Sequence, residues 1–226
     1  MLRTAQLNEQ AIGLICRGNC DGAMQTLGSA LSEITSKVTA LAPDSPKKLD
    51  EETPRSSTFR VKASYLYMGV ESLKSIISYF ERPYQIESYP RNENGSLTAE
   101  QAAYFSSVCF YNMGLAMLVR YKKENSPNCE SLMHAHDCFI RTYDVLSLCK
   151  LEPSDSKLLL MLATCNNLAA IQGDLGNIPL LQYWGVKFQV ILEFADPQSH
   201  WHDANYHLFR LKTLLSAFSF NSASAA

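Results

Sequence analysis

The chain has 226 residues, 46% of them hydrophobic and 19% charged, with a formal net charge of −2. That length suits one large domain or two small ones, with enough apolar content to bury a core unaided. Lysine and arginine are scattered rather than gathered into a stripe, so neither a nucleic acid nor a membrane surface is an expected partner.

The seven cysteines are odd in number, and several sit inside apolar helical runs with no Cys-x-x-Cys pair. They read as small hydrophobes of a reduced, intracellular protein rather than as a disulfide framework. "MLRTAQLNEQ" has no apolar signal core, and the longest apolar run, "LLLMLA", falls far short of the ~20 residues of a membrane span. The expected compartment is the cytoplasm, with the nucleus as the alternative. Asn94-Gly95-Ser96 then reads as a turn rather than a glycosylation site.

Residues 4–42 read as two helices. Leu7, Ala11, Leu14 and Ile15 recur at helical spacing. Gly18 ends that run and Asn19 can cap the next, whose stripe is Ala23, Leu27, Ala30, Leu31, Ile34, Val38 and Leu41. Residues 43–58 form a charged, proline-punctuated linker. The period then changes: Phe59, Val61, Ala63, Tyr65 and Tyr67 alternate with Arg60, Lys62, Ser64 and Leu66, and "IISYFERPYQIESY" supplies a second extended stretch. Together they predict a small β-hairpin near residues 59–88, within an insertion spanning 59–97. The rival reading is one helix over Ala63 to Phe80.

Thr98 and Gln101 make a capping box, so a helix is expected to start there and run through "YFSSVCFYNMGLAMLVRY". "KENSPNCE" interrupts it, and a partner helix follows with Leu132, Ala135, Phe139, Tyr143 and Leu146 on one face. Further helices are expected over about Asp155–Asp174, Pro179–Phe194 and His202–Phe218. The tail, residues 219–226, has nothing to bury and is expected to be disordered, which leaves one helical domain over residues 1–218.

Three segments share a pattern. The first has Leu7, Ala11, Leu14, Ala23, Leu27 and Ala30; the second Phe110, Met113, Gly114, Met117, Ala135, Phe139 and, well downstream, Pro153; the third Cys165, Leu168, Ala169, Gly176, Leu181 and Pro197. Small residues (Ala11, Gly114 and Ala169 in first helices, Ala23 and Ala135 in second helices) let paired helices approach closely, while large neighbours fill the remaining volume. Over roughly three quarters of its length the chain resembles tetratricopeptide-repeat proteins, with departures: Gln10 stands where leucine is usual, Leu181 and Gly185 replace a small residue and an aromatic, and the spacing between units is irregular.

The resemblance implies a mainly α fold, antiparallel helical hairpins stacked as a short solenoid. It also implies a concave groove that receives a peptide or partner protein. Asn112 and Asn167 occupy matching places before Met113-Gly114 and Leu168-Ala169, with Tyr111 and Asn166 just before them. A side-chain amide carries both a donor and an acceptor, so it can pair with a peptide backbone. Within the resemblance these four residues are the partner-binding candidates; the alternative is that the amides bond within the fold.

The expected function is a non-catalytic interaction scaffold without cofactor, metal site or catalytic residue. Apolar end faces, together with Phe209, Leu211, Leu214, Leu215 and Phe218, offer a route to capping or self-association. The competing class is a metal-dependent or cysteine enzyme. Its candidates are His134, His136, Asp137 and Cys138, and His200, His202, Asp203 and His207. Histidines two apart on a helix point to different sides, and neither segment has the H-E-x-x-H spacing.

Overall fold

The structure, a computed structural model, describes residues 2–39, 59–63, 79–88, 97–124, 129–149, 155–195 and 209–210. The molecule is mainly helical. Helix α1 spans Leu2–Cys16, α2 Cys20–Thr39, α3 Ala99–Lys123, α4 Cys129–Leu148, α5 Asp155–Asp174 and α6 Ile178–Ala195. Strands β1 (Phe59–Ala63) and β2 (Tyr84–Ser88) pair antiparallel, with Val61 opposite Ile86 and Ala63 opposite Tyr84.

The two Gly-Asn pairs act as the sequence suggests. Gly18 and Gly176 adopt φ of 70° and 69°, the left-handed conformation that glycine enters without a Cβ penalty. At the first turn Gly18 N–H donates to the Ile15 carbonyl (2.8 Å) and Asn19 N–H to the Leu14 carbonyl (2.9 Å). At the second, Gly176 N–H donates to Gly173 (3.0 Å) and Asn177 N–H to Gln172 (2.9 Å). Both are crossed-bond helix ends that satisfy orphan carbonyls. Each asparagine then caps the following helix: Asn19 Oδ1 accepts from Gly22 N–H at 3.1 Å, and Asn177 Oδ1 from Leu180 N–H at 3.3 Å. Turns this short fold each helix back along its predecessor. The capping box at α3 is complete, with Thr98 Oγ1 accepting from Gln101 N–H and the Gln101 side chain accepting from Thr98 N–H, each at 3.1 Å.

Each helix packs on the next in the chain, from α1 to α6, and α1 also reaches α3. Helix α3 is central: α1, α2, α4 and β2 all pack on it. It is long and apolar enough to cross a membrane by length and composition, but most of its apolar stretch is buried inside the protein. Ala11, Ala23 and Ala135 are fully buried, and Gly114 sits against the buried Phe139 ring. Ala169 is half-buried and Gly185 is exposed, so the third helix pair lacks the close small-residue contact of the second. Of the face expected on α4, Leu132, Ala135, Phe139 and Leu146 are buried, Tyr143 is half-buried, and Thr142 joins them.

Strand β1 begins where the period-two pattern begins, and β2 covers the last part of the second extended stretch. Ala63 lies in a strand and Phe80 outside any helix, so the rival helix from Ala63 to Phe80 does not form at either end; residues 64–78 lie outside the described residues. The 43–58 linker, the tail and all but Phe209–Arg210 of the expected last helix also lie outside them.

Added bulk should act with opposite sign at two sets of glycines. A Cβ on Gly114 would lie 2.8 Å from the Phe139 ring, so Gly114→Ala should destabilise by about 1–2 kcal/mol despite better helix propensity. A Cβ on Gly28 or Gly185 meets nothing within 4 Å, so Gly28→Ala and Gly185→Ala should each stabilise by about 0.5–1 kcal/mol. Urea denaturation of the three variants checks both signs.

Candidate functional site

Helices α1, α3 and α5, the first helices of the three pairs, share one face, and an extended segment of the same chain, residues 79–88, lies against it. The helix backbones have no hydrogen-bonding groups to spare in their middle turns, so side chains must satisfy the segment's main chain. Three fully buried asparagines do this, one from each helix: Asn8, Asn112 and Asn167.

Asn167 Oδ1 accepts from Phe80 N–H at 2.6 Å, and its Nδ2 donates to the Phe80 carbonyl at 3.1 Å. Asn112 repeats the arrangement four residues on, accepting from Tyr84 N–H at 3.0 Å and donating to the Tyr84 carbonyl at 2.8 Å. Asn8 Oδ1 accepts from Ile86 N–H at 3.0 Å. Its Nδ2 is buried without an acceptor among the described residues, as is Thr4 Oγ1 one turn earlier on α1. Tyr84 and Ile86 are two apart in a strand, so both turn their main-chain groups toward the helices, while Gln85 and Glu87 turn theirs toward β1. One edge of β2 is thus paired by a strand and the other by side-chain amides.

Tyr111 strengthens the α5 end: its hydroxyl donates to the Phe80 carbonyl at 2.9 Å, and Asn167 Nδ2 lies 3.3 Å from that hydroxyl. Burial pushes the Tyr111 phenol well above its ordinary value, so it stays a neutral donor. Asn166 is half-buried, and its Nδ2 donates to Asn167 Oδ1 at 3.2 Å. The segment's side chains complete the packing. Phe80, Tyr84 and Ile86 are each no more than 2% exposed. The Tyr84 and Tyr111 rings meet edge-on at 5.2 Å, Tyr111 lies 5.3 Å from Phe139, and Phe80 lies 4.8 Å from Phe209. Nearer the solvent, the Tyr79 hydroxyl donates to Asp174 at 2.5 Å and Lys122 pairs with Glu81. Burial first, and the bond to Asp174 second, raise the Tyr79 phenol, which therefore remains protonated.

The four residues singled out in the sequence come together: Asn112, Asn167 and Tyr111 hold backbone of their own chain, and Asn166 braces Asn167, so the amides bond within the fold, the alternative given above. Asn8 is the member that sequence reasoning misses. It stands three residues before Ala11, whereas Asn112 and Asn167 stand two before Gly114 and Ala169, so matching the segments on their small residues leaves it one position out of line.

The groups proposed for other chemistry are arranged differently. His134 is exposed and His136 half-buried, 3.4 Å from Asp137. Among the described residues no cluster of three or more His, Cys, Asp or Glu is placed to hold a metal. Burial pushes the Cys109 and Cys165 thiols up to about 12 and Cys138 to about 11, the reverse of the lowered value that activates a thiolate. The second group of histidines lies outside the described residues.

No family model matches the chain, and neither a curated protein nor a solved structure shows significant similarity to it.

Removing the Asn112 amide strands the buried N–H and C=O of Tyr84, whereas without Asn167 the Phe80 N–H is stranded but its carbonyl keeps the Tyr111 hydroxyl. Asn112→Ala should cost about 2–4 kcal/mol, Asn167→Ala about 1–3 kcal/mol, and Asn166→Ala distinctly less, in urea denaturation. The folded state keeps thiol protons that the unfolded chain releases above its ordinary value of 9.0. Stability from these buried groups is therefore complete below pH 9 and declines as pH rises toward 12. Denaturation midpoints at pH 7, 9, 10 and 11 should fall in that order above pH 9.

Proposed function

We propose that this chain is a non-catalytic interaction scaffold, a short tetratricopeptide-like stack of helical hairpins whose groove binds an extended polypeptide. The observation that carries the reading is the pairing of Asn112 and Asn167 with both main-chain groups of single residues in an extended segment. Such bonds recognise a backbone whatever its side chains, which is what a peptide-binding groove requires. The chain-order packing of six helices, the two Gly-Asn turns and the buried small residues support the stacked-hairpin architecture. Helix α6 favours a second docking position for a partner. Tyr183, Val186, Val190 and Phe194 are 48–63% exposed and share one face of the helix, away from its buried Trp184, Leu192 and Ala195.

Photo-cross-linking in native extract tests the scaffold and locates its interface. A photoreactive amino acid goes at Asn166, half-buried on α5 beside Asn167, or at Val186 on α6. The reading expects a discrete protein adduct from position 166 that Asn112→Ala weakens at least about 10-fold, matching loss of a buried paired amide. Adducts confined to Val186 move the interface to α6. No adduct from either position removes the scaffold function.

A further inference from the structure

The segment that fills the groove is also the best guide to what else could fill it. We propose that residues 79–88 act as a resident competitor. They occupy the asparagine ladder in cis, and the partner is an extended strand with large apolar residues spaced as Phe80, Tyr84 and Ile86. This rests on the groove being a peptide-binding site.

Three observations carry it. The ladder binds main chain, so an incoming strand can replace the resident one bond for bond at Asn167 and Asn112. Selectivity then comes from three buried positions: one against Phe209, one edge-on to Tyr111 and one beside Asn8. Second, the resident strand is an incomplete ligand. Asn167 and Asn112 use both donor and acceptor, but Asn8 keeps a buried Nδ2 with no acceptor among the described residues. Leaving such a donor unpaired costs about 1–3 kcal/mol. A partner strand that offers it a carbonyl gains a bond the resident strand does not make.

Third, the resident strand is held unevenly. Phe80 takes three side-chain bonds and Tyr79 bonds to Asp174, whereas Asn8 holds Ile86 by a single bond. Displacement therefore starts at the Ile86 end and proceeds toward Phe80. Being tethered, the resident strand competes at an effective concentration on the order of millimolar, so partner binding is conditional on its release.

The test uses a fluorescein-labelled peptide of residues 79–88, YFERPYQIES, titrated by anisotropy against the full chain. Wild type, Phe80→Ala/Tyr84→Ala, and that variant carrying Asn112→Ala are compared, with circular dichroism to verify folding. The weakened-arm variant should bind at least about 10-fold more tightly than wild type, and Asn112→Ala should abolish the gain. Equal binding by wild type and the weakened-arm variant overturns the competitor role and leaves the peptide groove standing. No binding to a folded weakened-arm variant overturns both.

Hydrogen exchange on the unmodified chain decides the matter independently of whether that variant folds. The amides of Phe80, Tyr84 and Ile86 should exchange by local opening, at least about 10-fold faster than those of Leu115 and Leu118 in α3. Exchange of both sets at one global rate marks a permanently docked strand and overturns the proposal.

Discussion

An extended peptide cannot be buried among helices unless something pairs its N–H and C=O groups. Helices keep their own backbone bonds to themselves, so the pairing must come from side chains. Asparagine suits this task because its amide reproduces the donor and acceptor of a peptide unit on a short, neutral stem. Asn8, Asn112 and Asn167, one from each first helix, act together as a substitute strand along residues 80–86, the last two of the three bonded positions lying in β2. Charged groups in that place would carry a desolvation cost, whereas amides lose little once bonded.

The rest of the arrangement depends on those bonds. The asparagines must be fully buried for the segment to be buried, so the helices that bear them have to be held in place from behind. Packing on the neighbouring helices supplies that, with Gly114 of α3 against Phe139 of α4 and with Ala11, Ala23 and Ala135 fully buried. Once docked, the segment adds to the core: Phe80, Tyr84 and Ile86 rank among the largest fully buried side chains, and Tyr111 links them to Phe139 on α4. The same face is therefore both a hydrophobic core and a rack for polypeptide main chain. The face holds residues 80–86 by main-chain bonds and buries three of their side chains.

Local chemistry was legible in the residues. Both Gly-Asn turns, the Thr98–Gln101 box, the bounds of α5 and the start of β1 follow from short-range rules about caps, left-handed glycine and period-two alternation. Asn112 and Asn167 were legible because each stands two residues before a small residue, Gly114 and Ala169, and Asn8 was hidden because it stands three before Ala11. Tyr111 was legible only as a neighbour of Asn112; its bond to the Phe80 carbonyl connects residues 31 apart. No periodicity in a helix points to a partner at that distance.

The sequence by itself determined which segments are helical, where they turn and which small residues let them pack, because those outcomes depend on neighbours within a few positions. It also placed amides where a backbone could be held. Only the tertiary structure decided whose backbone that is. Asn167 meets Phe80 across 87 residues and Asn8 meets Ile86 across 78. Which strand occupies the ladder is set by the competition between a tethered segment and everything else the chain could bury, and that competition is settled by long-range packing rather than local pattern.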